Sequence, residues 1–182
     1  MKIESAHLIL RSPNLADAGM IGDYYTRNRD FLREFMPARP EEFYTEHGQE
    51  EQLKCQLEEW ESGRSFRFYI SPVREEKRII GFVALNSVVM NAFCSCYLSY
   101  QLDKDYINRG LTTEAVEAAV EFGFRTLRLH RIEANIMPGN IRSIRVVEKC
   151  GFVNEGLSKQ YLKINGVWED HVHYVKLNGD IM

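Results

Sequence analysis

The sequence predicts an α/β (α+β) fold: a mixed, mostly antiparallel sheet of about seven strands with helices on both faces. Three observations predict it. Apolar or alternating runs of strand length recur from His7 to Leu177. Stretches with helical spacing interrupt them. One such stretch, Thr112 to Leu127, lies between two strand-like runs, so an otherwise meandering order passes through a helix into another strand. The 182 residues suffice for one sizeable core and are few for two, so residues 1–182 are read as a single domain.

Taken in order, His7 to Ser12 reads as a first strand, with Leu8 and Leu10 on one face and Arg11 on the other. Asn14 caps a helix through Tyr24 and Tyr25, and Asn28 to Pro37 forms a separate amphipathic turn stopped by Pro37 and Pro40. A second helix spans Thr45 to Glu61, turns Leu53, Leu57 and Trp60 to one side and ends at Gly63. Phe66 to Ile70 is a second strand, and Arg78 to Val89 a third, apolar enough at Ile79 to Val83 to be buried on both faces. Asn91 turns the chain into a fourth strand, Ala92 to Leu102. In the helix Thr112 to Leu127, the small residues Ala115, Ala118 and Ala119 let it lie close to the sheet. Arg131 to Ile136 is a fifth strand, and Asn140 caps a short helix from Ile141 to Lys149 that Gly151 terminates. Two last strands, Phe152 to Ile164 and Glu169 to Leu177, are joined by Asn165-Gly166, a hairpin turn pair.

Composition narrows the function classes. A net charge of -3 argues against a nucleic-acid binder working through a broad cationic face, so direct nucleic-acid binding is not expected. No window approaches 18 apolar residues, so no membrane span is expected either. Cys55, Cys94, Cys96 and Cys150 follow no disulfide framework and no signal peptide precedes them, which predicts a reducing, cytoplasmic setting. Cys94 and Cys96 would share one strand face, but no second pair stands at ligand spacing; they read as packed thiols, and no metal is expected.

The stretch Tyr106-Ile107-Asn108-Arg109-Gly110-Leu111-Thr112-Thr113-Glu114 joins a strand to a helix through a glycine. That geometry aims several unsatisfied N–H groups, at the positive end of a helix dipole, towards one point suited to a phosphate. Ile107 to Thr112 resembles the acetyl-CoA pyrophosphate loop of the Gcn5-related N-acetyltransferase (GNAT) superfamily, Gln/Arg-x-x-Gly-x-Gly/Ala. Ile107 and Thr112 depart from it, a change a backbone-made nest tolerates. The resemblance extends to Asn28-Arg29-Asp30-Phe31-Leu32, Cys96-Tyr97-Leu98-Ser99-Tyr100, Asn140-Ile141-Arg142-Ser143, Val147 to Phe152 and the hairpin Tyr161 to Val172. It is closest to the RimJ/RimL-like ribosomal-protein-alanine N-acetyltransferases, and it covers nearly the whole chain.

The resemblance implies acetyl transfer from acetyl-CoA to the α-amino group, in that branch of an alanine, of a ribosomal protein or other polypeptide, by direct attack without an acyl-enzyme. It implies that Tyr100, Gln101 and Leu102 pair with the pantetheine arm, that Asn108, Arg109, Gly110, Leu111, Thr112 and Thr113 hold the pyrophosphate, and that Asn140 and Ser143 lie near the thiol. Ser143 is then the expected donor to the leaving thiolate, or else a cap of its own helix. Glu133 is the expected general base, or else the partner of Arg131, with Glu169, Asp170 and His171 as competitors. Phe31, Tyr161 and Trp168 are expected to wall the acceptor site, unless the last two pack together across strands. Glu41, Glu42, Glu46, Glu50 and Glu51 would attract a basic partner. An exposed edge near the terminal hairpin would support a homodimer. Two other readings stay open: acetylation of a small amine (polyamine, amino sugar or antibiotic), and a weakly catalytic ribosome-assembly factor on the same fold.

Overall fold

The computed structural model describes residues 1–33 and 36–179. Eight strands and four α-helices follow in the order β1 (Lys2–Glu4), β2 (Leu8–Arg11), α1 (Ala18–Leu32), α2 (Glu46–Glu61), β3 (Phe66–Pro72), β4 (Gly81–Val89), β5 (Ser95–Leu102), α3 (Leu111–Arg125), β6 (Arg131–Ile136), α4 (Ile141–Lys149), β7 (Val153–Ile164) and β8 (Val167–Leu177). They form one sheet in the order β1-β2-β3-β4-β5-β6-β8-β7. Every neighbouring pair is antiparallel except β5 and β6, which the α3 crossover makes parallel.

The mixed, mostly antiparallel sheet is as expected, with one strand more than the expected seven. The addition is Lys2–Glu4, a three-residue edge strand paired with β2 and too short to show a period. Helix α1 runs unbroken to Leu32 rather than pausing at Asn28. Asn28 is fully buried, donates to the Tyr24 carbonyl and accepts from the Lys104 N–H, so a residue that reads as a break is an internal tie. The turn expected over residues 28–37 extends across Glu34 and Phe35, which lie outside the described residues. β5 begins at Ser95 because Asn91 and Cys94 take positive φ values of 59° and 43° in the preceding turn. Cys94 therefore does not share a strand face with Cys96; its thiol donates to the Asn91 carbonyl, while burial pushes the Cys96 thiol up to about 12.

Alternation along the central strands splits the core. Phe66, Phe68, Ile70, Val83 and Leu85 point to the α3 face, and Tyr69, Phe82 and Ala84 to the α1–α2 face. α3 lies close because a side chain at Gly123 would stand 2.9 Å from Ile132 Cδ1 and 3.0 Å from Leu85 Cδ1. No helix among the described residues is long and apolar enough to cross a membrane.

Candidate active site

β5 and β6 pair only at Ser95–Arg131, Cys96–Ile132 and Tyr97–Glu133. Beyond that point β5 stays with β4 as far as Leu102 and β6 stays with β8, so the two strands part and their facing edges carry backbone groups without a strand partner. The parting opens a cleft of about 300 Å³ lined by Leu98 to Leu102, Ala134 to Met137, Asn140, Ser143, Phe31 and His171, among others. The buried side-chain oxygens Gln101 Oε1 and Asn135 Oδ1 have no hydrogen-bond partner among the described residues, although both residues line the cleft.

At the end of β5 the chain is locked before it reaches the loop. Asp103 is fully buried, caps the short turn Lys104–Tyr106 through the Asp105 N–H and receives Arg27 Nε at 2.6 Å. Arg27 also donates to the Ile79 carbonyl. Burial alone would raise the Asp103 carboxyl, but bonds from the Asp105 N–H, Arg27 and Asn28 overbalance it and hold the group below its usual range. Asn108 (φ 61°) and Gly110 (φ 80°) then turn the backbone into α3, whose first internal bond is Glu114 N–H to Gly110 O. The N–H groups of Gly110, Leu111, Thr112 and Thr113 have no acceptor among the described residues and lie at the positive end of a 15-residue helix. Asn108, Arg109 and Gly110 are exposed, so this donor cluster opens to solvent. Glu114 in the same turn is spent elsewhere: it accepts from Ser5 Oγ and His7 N–H at 2.7 Å each and pairs with His7 Nδ1 at 2.9 Å.

Helix α4 opens on the opposite edge. Asn140 Oδ1 caps it by accepting from the Ser143 N–H at 3.2 Å. Ser143 Oγ donates to the Tyr100 hydroxyl at 2.7 Å, and that hydroxyl donates to the Ser143 carbonyl at 2.9 Å. Burial raises the Tyr100 phenol well above its ordinary value, so it stays protonated. Tyr100, Asn140 and Ser143 thus converge at one wall of the cleft.

The other sheet face carries a different set. Ile132, Ala134 and Ile136 of β6 point to the α3 side, so Glu133 and Asn135 point to the α1–α2 side; on β8, Val172 and Tyr174 likewise leave His171 and His173 there. Glu133 accepts from Arg131 Nε at 2.8 Å, and Arg131 also holds Glu155, so this carboxylate is engaged and does not line the cleft. Asn135 Nδ2 donates to the Tyr161 hydroxyl at 3.1 Å, and the Tyr161 ring packs on His171 and His173. Tyr161 and Trp168 do not pair across the hairpin: Trp168 faces Lys163 and is 57% exposed. A bulge between Ser158 and Leu162 shifts the register that strict alternation would set. Phe31 lines the cleft from α1, and Ile164 from the hairpin. Asn165 at the hairpin tip accepts from the Ala38 N–H and donates to the Arg33 carbonyl, so the α1–α2 connection and the hairpin meet at the cleft mouth. Asn135, His173 and the Asn165 tie escaped the sequence reading; the period-2 alternation of Arg131, Glu133 and Asn135 was the signal available for the first.

Residues 7–153 match the family described as Acetyltransferase (GNAT) domain. The chain is 40% identical over 155 residues to a probable N-acetyltransferase of Bacillus subtilis, YjcK, covering 85% of each chain. It is 37% identical over 172 residues to the [ribosomal protein uS5]-alanine N-acetyltransferase of Escherichia coli, covering 94% of this chain and 88% of that one. The crystal structure of a ribosomal-protein-S5-alanine acetyltransferase from Vibrio fischeri superposes with a TM-score of 0.94 at 34% identity, covering 100% and 99% of the two chains.

Proposed function

Because the chain belongs to the GNAT acetyltransferase family, an N-acetyltransferase that draws its acetyl group from acetyl-CoA, we propose that its acceptor is the α-amino group of a polypeptide beginning with alanine, and that the polypeptide is a ribosomal protein. The similarity to the uS5-alanine enzyme over 94% of the chain carries the reading. The chemistry of the cleft wall supports it. Among the described residues no Asp or Glu lines the cleft and one Arg does, a poor setting for a polycationic amine and a suitable one for a single α-amine, whose pKa near 8 leaves a neutral fraction at physiological pH. Of the five glutamates expected to attract a basic partner, Glu41 is held by Arg29 and Glu51 by Lys54, so that field is partly neutralised.

The residues present fit the co-substrate. The partnerless N–H groups of Gly110, Leu111, Thr112 and Thr113 suit a pyrophosphate, and the parted edge at Tyr100, Gln101 and Leu102 suits the amides of the pantetheine arm. The polar atoms left without partners at Gln101 and Asn135 suit a ligand with amide groups. When bound, acetyl-CoA supplies an activated thioester. Ser143 Oγ, beside Tyr100 and Asn140, turns its hydrogen from the Tyr100 hydroxyl to the departing sulfur, while Tyr100 remains protonated and keeps its own bond to the Ser143 carbonyl. Glu133 is held to Arg131, where it steadies β6 at the point of parting; the proton acceptor is sought elsewhere. Phe31 lines the space left for a small first side chain, and Tyr161 backs Asn135 and His171 on its other side.

The test is release of CoA thiol with synthetic peptides that begin in alanine, set beside polyamines and amino sugars. Release with the peptides alone, lost when their N-terminus is blocked, is the expected result. Release with small amines only sinks the proposal.

A further inference from the structure

We propose that His171 is the catalytic base, with its Nε2 taking the proton from the acceptor amine. The inference rests on the acetyltransferase reading above. His171 is 4% exposed yet lines the cleft, on the sheet face opposite the Tyr100–Ser143 pair. Its Nδ1 lies 3.0 Å from the Glu169 carbonyl of its own strand. A carbonyl only accepts, so Nδ1 carries the hydrogen and the neutral ring presents a lone pair at Nε2. Nε2 has no hydrogen-bond partner among the described residues, and it is not sealed in the interior as His173 Nε2 is. The ring is fixed by Tyr161, 5.6 Å away centroid to centroid, which Asn135 orients in turn. Fixed tautomer, fixed ring and an open acceptor nitrogen at the cleft are what a base needs. Glu133 lacks the last of them.

The step balances as follows. The acceptor arrives as an ammonium and gives one proton to Nε2; its freed electron pair forms the C–N bond at the thioester carbonyl carbon while the C–S bond breaks with its pair on sulfur. The thiolate gains a proton from Ser143, the second proton shed by the new amide nitrogen replaces it on the serine oxygen, and the imidazolium returns its proton to solvent. One proton is released per turnover.

Tyr161 of β7 packs on the ring and on His173 of β8, with Glu133 of β6 acting on Tyr161; Nδ1 meets the Glu169 carbonyl, and Arg142 of α4 lines the same cleft. Among the described residues, His171 alone lines the cleft and offers a bare acceptor nitrogen. With an alanine-initiated peptide, His171→Gln is expected to lower kcat/KM about 10²-fold, with CoA affinity and melting temperature near wild type. An unchanged kcat/KM, or a CoA affinity that falls in step with activity, overturns the assignment. A second measurement does not depend on turnover: nitrogen-15 NMR of the wild-type imidazoles should find His171 with the hydrogen on Nδ1, and a hydrogen on Nε2 of the neutral ring overturns the proposal even if no peptide is acetylated. Failure with every peptide, by contrast, sinks the acceptor reading and leaves the tautomer to judge His171.

Discussion

The two sides of the cleft are made of different materials. On the cofactor side the groups offered are backbone: the first N–H groups of α3 and the unpaired edges of β5 and β6. On the proposed acceptor side they are side chains, Phe31, Asn135 and His171, drawn from α1, β6 and β8, with Tyr161 of β7 behind the last two. A backbone-made site keeps its donors when side chains change, so on the proposed reading the departures at Ile107 and Thr112 remove no N–H group. A side-chain site depends on each residue and on what holds it in place.

Ser143 stands between the two sides, and its loss should separate them most sharply. Ser143→Ala is expected to cut kcat about 10²-fold while CoA affinity stays within about twofold of wild type, because in the proposed mechanism the hydroxyl acts on the departing sulfur and the helix donors do not depend on it. Single-turnover kinetics beside CoA titration would check it. Parallel losses in both would make Ser143 a packing residue.

The next effect belongs to the entry of the loop. Asp103→Asn keeps the shape but removes the charge that Arg27 and the Asp105 N–H address, and should cost about 2 kcal/mol at pH 6. The sign with pH follows from a folded carboxyl held below its ordinary value of 3.8. Its stabilisation is complete above that value and is lost as pH falls through the lower folded value, so the wild type and the variant should keep their gap in urea melts down to that value and converge only below it. A gap that stays constant with pH would mean the carboxylate is not what fixes the loop.

A smaller effect tests the backbone argument itself. Gly110 sits at φ 80° with nothing within 4 Å of where a side chain would begin. A valine there meets no neighbour but strains the left-handed backbone, and relaxing it turns the helix N–H groups from their common point; CoA affinity should fall about 10-fold. Thr112→Ala, which keeps its N–H, should leave affinity nearly untouched. Equal losses in the two variants would show that side chains hold the phosphates after all.

The same contrast decides how much could be read without coordinates. The loop was legible because a glycine before a helix and an alternating strand are local patterns, and Asn140 could be named as a cap from its place before a short apolar helix. Lys2–Glu4 was not, being a strand of three residues whose only warrant is its neighbour Leu8–Arg11. Glu133 was named for its strand position, but its engagement with Arg131 and, through it, Glu155, 22 residues further on, is tertiary. The bulge between Ser158 and Leu162 likewise leaves Tyr161 out of the regular ladder and packed on two histidines, which no periodicity announces.

Asn165 offers the finest test, since it serves the acceptor side alone. Its side chain accepts from the Ala38 N–H at 2.8 Å and donates to the Arg33 carbonyl at 3.2 Å, and its own φ of 49° suits an asparagine in a hairpin turn. Asn165→Gly keeps that backbone comfortable while deleting both ties, so any change comes from the lost clasp rather than from strain. The ties are exposed, and each is worth about 0.5–1 kcal/mol at most. Peptide KM should therefore rise about fivefold, with kcat and CoA affinity nearly constant. The reason is the geometry of the mouth: the hairpin carrying Ile164 and the connection following Phe31 meet through Asn165, and a mouth no longer held must be ordered by the peptide at its own entropic cost. A fall in CoA affinity instead would mean that the two sides are coupled through the hairpin, and that the division between backbone-made and side-chain-made halves is not an energetic one.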